Sequence, residues 1–85
     1  MKKVWHDEAW DQFCGIIQRN AKMAKRINDL LKSIDRNGIN CIGKPEPLKG
    51  NLAGKWSVRI DAANRIVFKI AGDTLEIYSC AGHYE

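Results

Sequence analysis

Much that would staple or anchor a small chain is missing here. Three cysteines, Cys14, Cys41 and Cys80, form no Cys-x-x-Cys pair, which argues against a disulfide framework and suits a reducing compartment. Cys80 and His83 are half of a zinc pair, but a structural site wants four such ligands and the other candidates, Cys14, Cys41 and His6, are isolated, so no metal is expected. No apolar run approaches the roughly 20 residues that cross a bilayer. Asp7 and Glu8, close behind Met1-Lys2-Lys3 and Val4-Trp5, destroy any signal-peptide apolar region, so the expectation is a cytoplasmic protein with no membrane partner. With only two prolines and seven glycines, disorder and collagen-like structure are excluded. A length of 85 residues allows one domain, 1–85, and leaves no room for a large cofactor domain.

What is present is an ordinary globular composition with a slight basic excess. Fourteen Lys and Arg face ten Asp and Glu, and the net charge of +4 fits a polyanion such as RNA or an acidic protein partner. The excess has a location: from Lys44 to Lys69 six basic residues face only Glu46 and Asp61.

The apolar period changes along the chain. Residues 2–6 read as a short strand, followed by a helix opened by the acidic trio Asp7, Glu8 and Asp11 and carrying Ala9, Trp10, Phe13, Ile16 and Ile17 on one face. Trp5, Trp10 and Trp56 are assigned to the core. Asn20 can cap a second helix, whose stripe Met23, Ile27, Leu30, Leu31 and Ile34 stops at Asn37-Gly38. Residues 38–54 hold four glycines and both prolines with no surviving period, and an ordered loop that long tends to be functional. Beyond it the period is 2, giving three antiparallel strands around Trp56–Ile60, Arg65–Ile70 and Thr74–Tyr78. The expected fold is α+β in the order β-α-α-β-β-β, with both helices packed on one face of a small twisted antiparallel sheet.

Register carries the reading further. Matching Ile60 with Ile66 leaves the loop Ala62-Ala63-Asn64 and sets Asp61 opposite Arg65, while matching Ile70 with Leu75 leaves a Gly72-Asp73 turn and sets Lys69 opposite Glu76. Arg59, Arg65, Lys69, Tyr78 and Cys80 then share the face the helices leave open. Arg59 has no acidic partner in this register, which favours a functional role. Glu46 stands between Pro45 and Pro47, so its backbone is confined to extended shapes and it is held still at small entropic cost, as a general base should be. The plain alternative is that Pro-Glu-Pro is only a stiff linker. His83 and Tyr84 can both donate a proton to a leaving oxygen.

Gly43-Lys44-Pro45-Glu46-Pro47-Leu48-Lys49, Asn51-Leu52-Ala53-Gly54-Lys55-Trp56-Ser57, Arg59-Ile60-Asp61, Asn64-Arg65-Ile66-Val67 and His83-Tyr84 together resemble the YoeB/Txe family of bacterial toxin-antitoxin ribonucleases. The resemblance spans essentially the whole chain. It implies a microbial-ribonuclease-like fold of the RelE class that cleaves messenger RNA in the ribosomal A site without a cofactor or metal. It further implies a YefM-like antitoxin and a homodimer. Carried over by position, Glu46 is the general base on the 2′-hydroxyl, Arg65 stabilises the charged phosphorane, His83 is the general acid or its partner, and Tyr84 orients substrate. Lys49 and Arg59 hold phosphate or nucleotide, with Lys44 and Lys55 as further contacts. The sequence departs from the family pattern at its end, where Ala81-Gly82 precede the His-Tyr pair and Glu85 follows it. The alternative is a non-catalytic module that binds RNA or the ribosome and blocks translation with the message intact.

Overall fold

Each helix begins and ends where its sequence supplies the chemistry. A computed structural model describes residues 1–82. Strand β1, Lys2–Trp5, leads into helix α1, Asp7–Arg19, whose first turn carries Asp7 and Glu8 against the positive end of the helix dipole. Asn20 closes α1 by donating its backbone N–H to Ile16 and opens α2, Ala21–Asn37, by accepting the Met23 N–H on its side chain at 3.0 Å. Gly38 ends α2 with a positive φ of 59°. No helix among the described residues is long and apolar enough to cross a membrane.

The loop region contains two single 3-10 turns, Gly38–Asn40 and Gly50–Leu52, and between them a two-residue strand β2, Glu46–Pro47. Strands β3, Trp56–Arg59, β4, Arg65–Ala71, and β5, Thr74–Ser79, follow. The sheet has five strands in the order β1-β5-β4-β3-β2. The α+β class holds, with one refinement. The sheet is mixed, because β1 lies parallel to β5, fixed at its ends by Lys2 N–H to Asp73 and His6 N–H to Ile77. Lys2 and Lys3 are exposed and Val4 largely so; a strand without an alternating apolar face does not reveal its direction.

Ile27, Leu30 and Ile34 of α2 are fully buried together with Val58, Ile66, Phe68, Leu75 and Ile77 of the sheet. Each such side chain contributes roughly 1.5–3 kcal/mol on leaving water, which is how a chain this short holds without disulfides. Trp10 does not join them: it is 49% exposed, while Trp5 stacks on Phe13 at 4.9 Å and lies against the core. On α1 the inward stripe is Ala9, Phe13 and Ile16, and Trp10 with Ile17, one residue and about 100° further round the helix, lies on its exposed flank.

Two registers decide the open face. The β4–β5 hairpin pairs Ile70 with Leu75 and Lys69 with Glu76, with Gly72 at φ 59° in the turn, as the period suggests. The β3–β4 hairpin differs: Val58 pairs with Ile66, and Arg59, not Asp61, opposes Arg65. The cause is local, since the Asp61 carboxylate accepts the N–H groups of Ala63 and Asn64, both at 2.8 Å, and folds residues 60–64 into a wider turn. A shift of two residues keeps every side chain on its own face. The second difference does flip faces. Val67 pairs with Ser79 while Phe68 pairs with Ile77, so Tyr78 is an extra residue in β5, a bulge. Cys80 is thereby turned from the open face into the core, where its Sγ lies 3.5 Å from the Ala9 carbonyl oxygen.

Candidate active site

The stretch before β2 is built to lie against β3. Gly43, at φ 92°, accepts the Arg59 N–H on its carbonyl at 2.7 Å. A Cβ at Gly43 would stand 2.7 Å from Leu30 Cδ2 and 3.1 Å from Val58 Cβ, so the backbone approaches the core more closely than any side chain permits. Lys44 follows at φ 54°, a left-handed conformation that costs a lysine on the order of 1 kcal/mol or more. The two residues turn the chain so that Pro45-Glu46-Pro47 runs extended along the sheet edge, with Glu46 paired to Ser57 and Pro47 to Trp56. Leu48, almost completely buried, closes the segment through its N–H to the Lys55 carbonyl at 2.9 Å.

Neighbouring strands place the candidate residues in rows. Glu46, Ser57, Val67 and Ser79 form one row across β2, β3, β4 and β5; Arg59 and Arg65 form the next. Glu46 reaches diagonally over β3, bringing its Oε2 to 3.9 Å from Arg65 Nη1. Arg65 is largely sheltered and Glu46 half exposed, with side-chain exposures of 17% and 54%. On β3, the strand between them, Ser57 pairs with Glu46, and its hydroxyl is fully buried with no hydrogen-bond partner among the described residues. A hydroxyl in that state costs about 1–3 kcal/mol.

The chain returns to the same place at its other end. Arg65 donates its backbone N–H to the Gly82 carbonyl at 3.1 Å, and Gly82 donates to Asn64 Oδ1 at 2.8 Å. His83 and Tyr84, expected here from the sequence, lie outside the described residues.

The remaining basic candidates are distributed around Glu46. Lys44 and Lys49 are exposed on its own segment. Lys55 sits over the Tyr78 ring, with Nζ 4.0 Å from the centroid, while His6 stacks on Tyr78 at 4.3 Å. Tyr78 donates its hydroxyl to Glu76 at 2.9 Å, and burial together with that carboxylate pushes its ionisation above the usual phenol range. Glu76 therefore serves Tyr78, although Lys69 faces it in register. A cavity of about 580 Å³ opens beside the aromatic stack, lined by His6, Leu52, Lys55, Val67, Tyr78 and Ser79 with Asp7 and Glu8 at its edge. Val67 joins it to the row that holds Glu46 and Ser57.

The structure thus brings Glu46, Arg59 and Arg65 together and keeps Lys55 one step away at Tyr78. Sequence reasoning missed Ser57. Alternation already put it on the Arg59 face, but its significance depends on β2 pairing beside it, and a two-residue strand in which Glu46 stands between two prolines gives no strand signal.

A model of the YoeB-like toxin of bacterial type II toxin-antitoxin systems matches residues 5–84. A curated relative, Toxin YoeB of Synechocystis sp., is 49% identical over 81 residues, covering 95% of this chain and 88% of the relative. Among solved structures, a YoeB-YefM complex from Staphylococcus aureus superposes with a TM-score of 0.92 at 44% identity, covering 99% of this chain and 98% of that one. The YoeB dimer from Staphylococcus aureus is similar to the same degree, with a TM-score of 0.92, 42% identity and the same two coverages.

Proposed function

The chain belongs to the YoeB-like toxins of bacterial type II toxin-antitoxin systems, and from that premise we propose that it is an endoribonuclease acting on messenger RNA in the ribosomal A site. The observation that carries this reading is the Glu46 carboxylate beside the Arg65 guanidinium on the face of the sheet that the helices leave open. Cleavage by internal attack needs a base at the 2′-hydroxyl, cations at the phosphate and an acid at the leaving 5′-oxygen. Glu46 takes the 2′-proton. The 2′-oxygen bonds to the adjacent phosphorus, Arg65 and Arg59 hold the charge that develops on the phosphate oxygens, and the bond to the 5′-oxygen breaks. His83 donates the proton that this oxygen requires, Tyr84 orients the substrate, and the products are a 2′,3′-cyclic phosphate and a 5′-hydroxyl. The hydrogen bonds of Gly82 to Arg65 and Asn64 support this assignment, because they carry the chain to the Arg65 end of the site just before His83.

The 3.9 Å between Glu46 and Arg65 is longer than the about 2.7–2.9 Å of a charge-assisted hydrogen bond. The Glu46–Arg65 contact itself is loose enough for a phosphate to displace it. Lys44, Lys49 and Lys55 supply further positive charge for the RNA backbone. The similarity to the Staphylococcus aureus complex and dimer supports a YefM-like antitoxin as the neutralising partner and a homodimer as the free form. Cytoplasmic location follows from a ribosomal target.

Primer extension on translating ribosomes tests the reading. The expected result is a message cut within the A-site codon by the protein, and the same message uncut when ribosomes are omitted. Arrested ribosomes carrying an intact message would contradict it and identify a non-catalytic block.

A further inference from the structure

Side chains on one face of a sheet stand in rows, and the row Glu46, Ser57, Val67 puts the Ser57 hydroxyl beside the stem of Glu46. Arg65 is on β4, so the Glu46–Arg65 contact passes over β3, above Ser57. A small side chain is needed under such a bridge. A small apolar one would serve as well, yet this residue carries a hydroxyl that is fully buried and bonded to nothing among the described residues. Buried hydroxyls are rarely left without a partner, and one lying under a reacting group points to a partner that arrives in another state.

The long Glu46–Arg65 contact provides that state. The charged groups around Glu46 among the described residues are Lys44 and Lys49 on its own segment, Lys55 just before β3, Arg59 on β3 and Arg65 on β4. When a phosphate draws Arg65 away, the carboxylate loses that ion pair, and the buried donor in its row is Ser57. We propose that Ser57 is a positioning residue for Glu46: with Arg65 engaged by phosphate, the Ser57 hydroxyl donates to the Glu46 carboxylate and holds it ionised beneath the 2′-hydroxyl. The Ser57 proton stays on Ser57 throughout, and Glu46 takes only the substrate's proton. The assignment rests on the ribonuclease reading of this site.

Two measurements separate the fate of this assignment from that of the ribonuclease reading. The first needs no reaction. In an Arg65→Met protein, which frees Glu46 from its ion pair, carboxyl-carbon NMR follows the titration of Glu46 with Ser57 present and with Ser57→Ala. Removing a donor to the ionised carboxylate raises the midpoint by about one pH unit, the equivalent of one charge-assisted hydrogen bond. Coincident midpoints overturn the proposal whatever the protein's activity. The second is cleavage on ribosomes with Arg65 in place. Ser57→Ala lowers kcat by about ten- to a hundredfold, moves the acidic limb of the pH–rate profile upward, and leaves the thermal midpoint unchanged or raised, because an unbonded hydroxyl has gone. Ser57→Thr, which keeps the hydroxyl, restores the profile. Lost activity with an unmoved limb and a lowered thermal midpoint assigns Ser57 to packing and contradicts the proposal. If the wild-type protein leaves the message intact, the ribonuclease reading fails on its own, while the NMR midpoint still decides whether Ser57 serves Glu46.

Discussion

Arg59 and Arg65 stand directly opposite each other across β3 and β4, so two guanidinium-bearing residues share one patch of the open face. Facing like charges destabilise a strand pair by roughly 0.2–1 kcal/mol. A patch that receives a phosphate gains from the same arrangement.

Arg59→Gln therefore separates stability from function. The backbone bonds of Arg59 to Gly43 and Arg26 do not depend on its side chain and survive the change. Calorimetry should show a thermal midpoint raised by about 1–5 °C, the shift that a few tenths of a kcal/mol gives a domain of this size. Cleavage on ribosomes should fall at least about tenfold, the loss of one cationic contact to the phosphate. A lowered midpoint with unchanged cleavage would contradict the account.

That pair also shows how far the sequence could be read. The two helices, their cap at Asn20, the Gly72 turn and the Ile70–Leu75 register follow from periodicity and local chemistry, which act over a few residues. The Arg59–Arg65 register does not, because it depends on how many N–H groups the Asp61 carboxylate collects. Neither the bulge at Tyr78 nor the parallel pairing of β1 leaves a mark in the pattern, since each is decided by contacts between distant segments. Glu46 could be singled out from its two prolines alone, but its position over Ser57 arises from an edge pairing that Gly43 and Lys44 create by turning the chain.

The bulge has a chemical consequence at Cys80. Burial pushes its thiol up to about 11 and also raises that of Cys41, whereas Cys14 is only half buried. Thiolates are the species that alkylate, so iodoacetamide at pH 8 should modify Cys14 alone in the folded protein and all three cysteines in denaturant. Mass spectrometry of peptides from the folded protein checks this; early labelling of Cys80 would mean that β5 does not turn inward as described.

Asp35 ties the first strand to α2 by accepting from Lys3 at 2.7 Å, and that hydrogen bond holds its carboxyl below the ordinary 3.8. A depressed folded value means that the pair stabilises the protein above pH 3.8 and that this contribution is lost as the pH falls through the lower folded value. The partners are about one third exposed, so the effect is small, within about 1 kcal/mol. Thermal melts of Asp35→Asn should lie slightly below wild type at pH 7 and converge with it toward pH 2. A deficit that persists or grows in acid would contradict the ion-pair assignment.

The central claim, that Glu46 is the base of an RNA-cleaving site, is tested most directly by the single-turnover rate of message cleavage on ribosomes with Glu46→Gln. Among the described residues its carboxylate makes one long, half-exposed ion pair, so the substitution should leave the thermal midpoint within a few degrees of wild type. The account predicts a rate lower by about 10² to 10⁴-fold, the usual contribution of a positioned acid or base. A rate equal to wild type, with the fold intact, would contradict it.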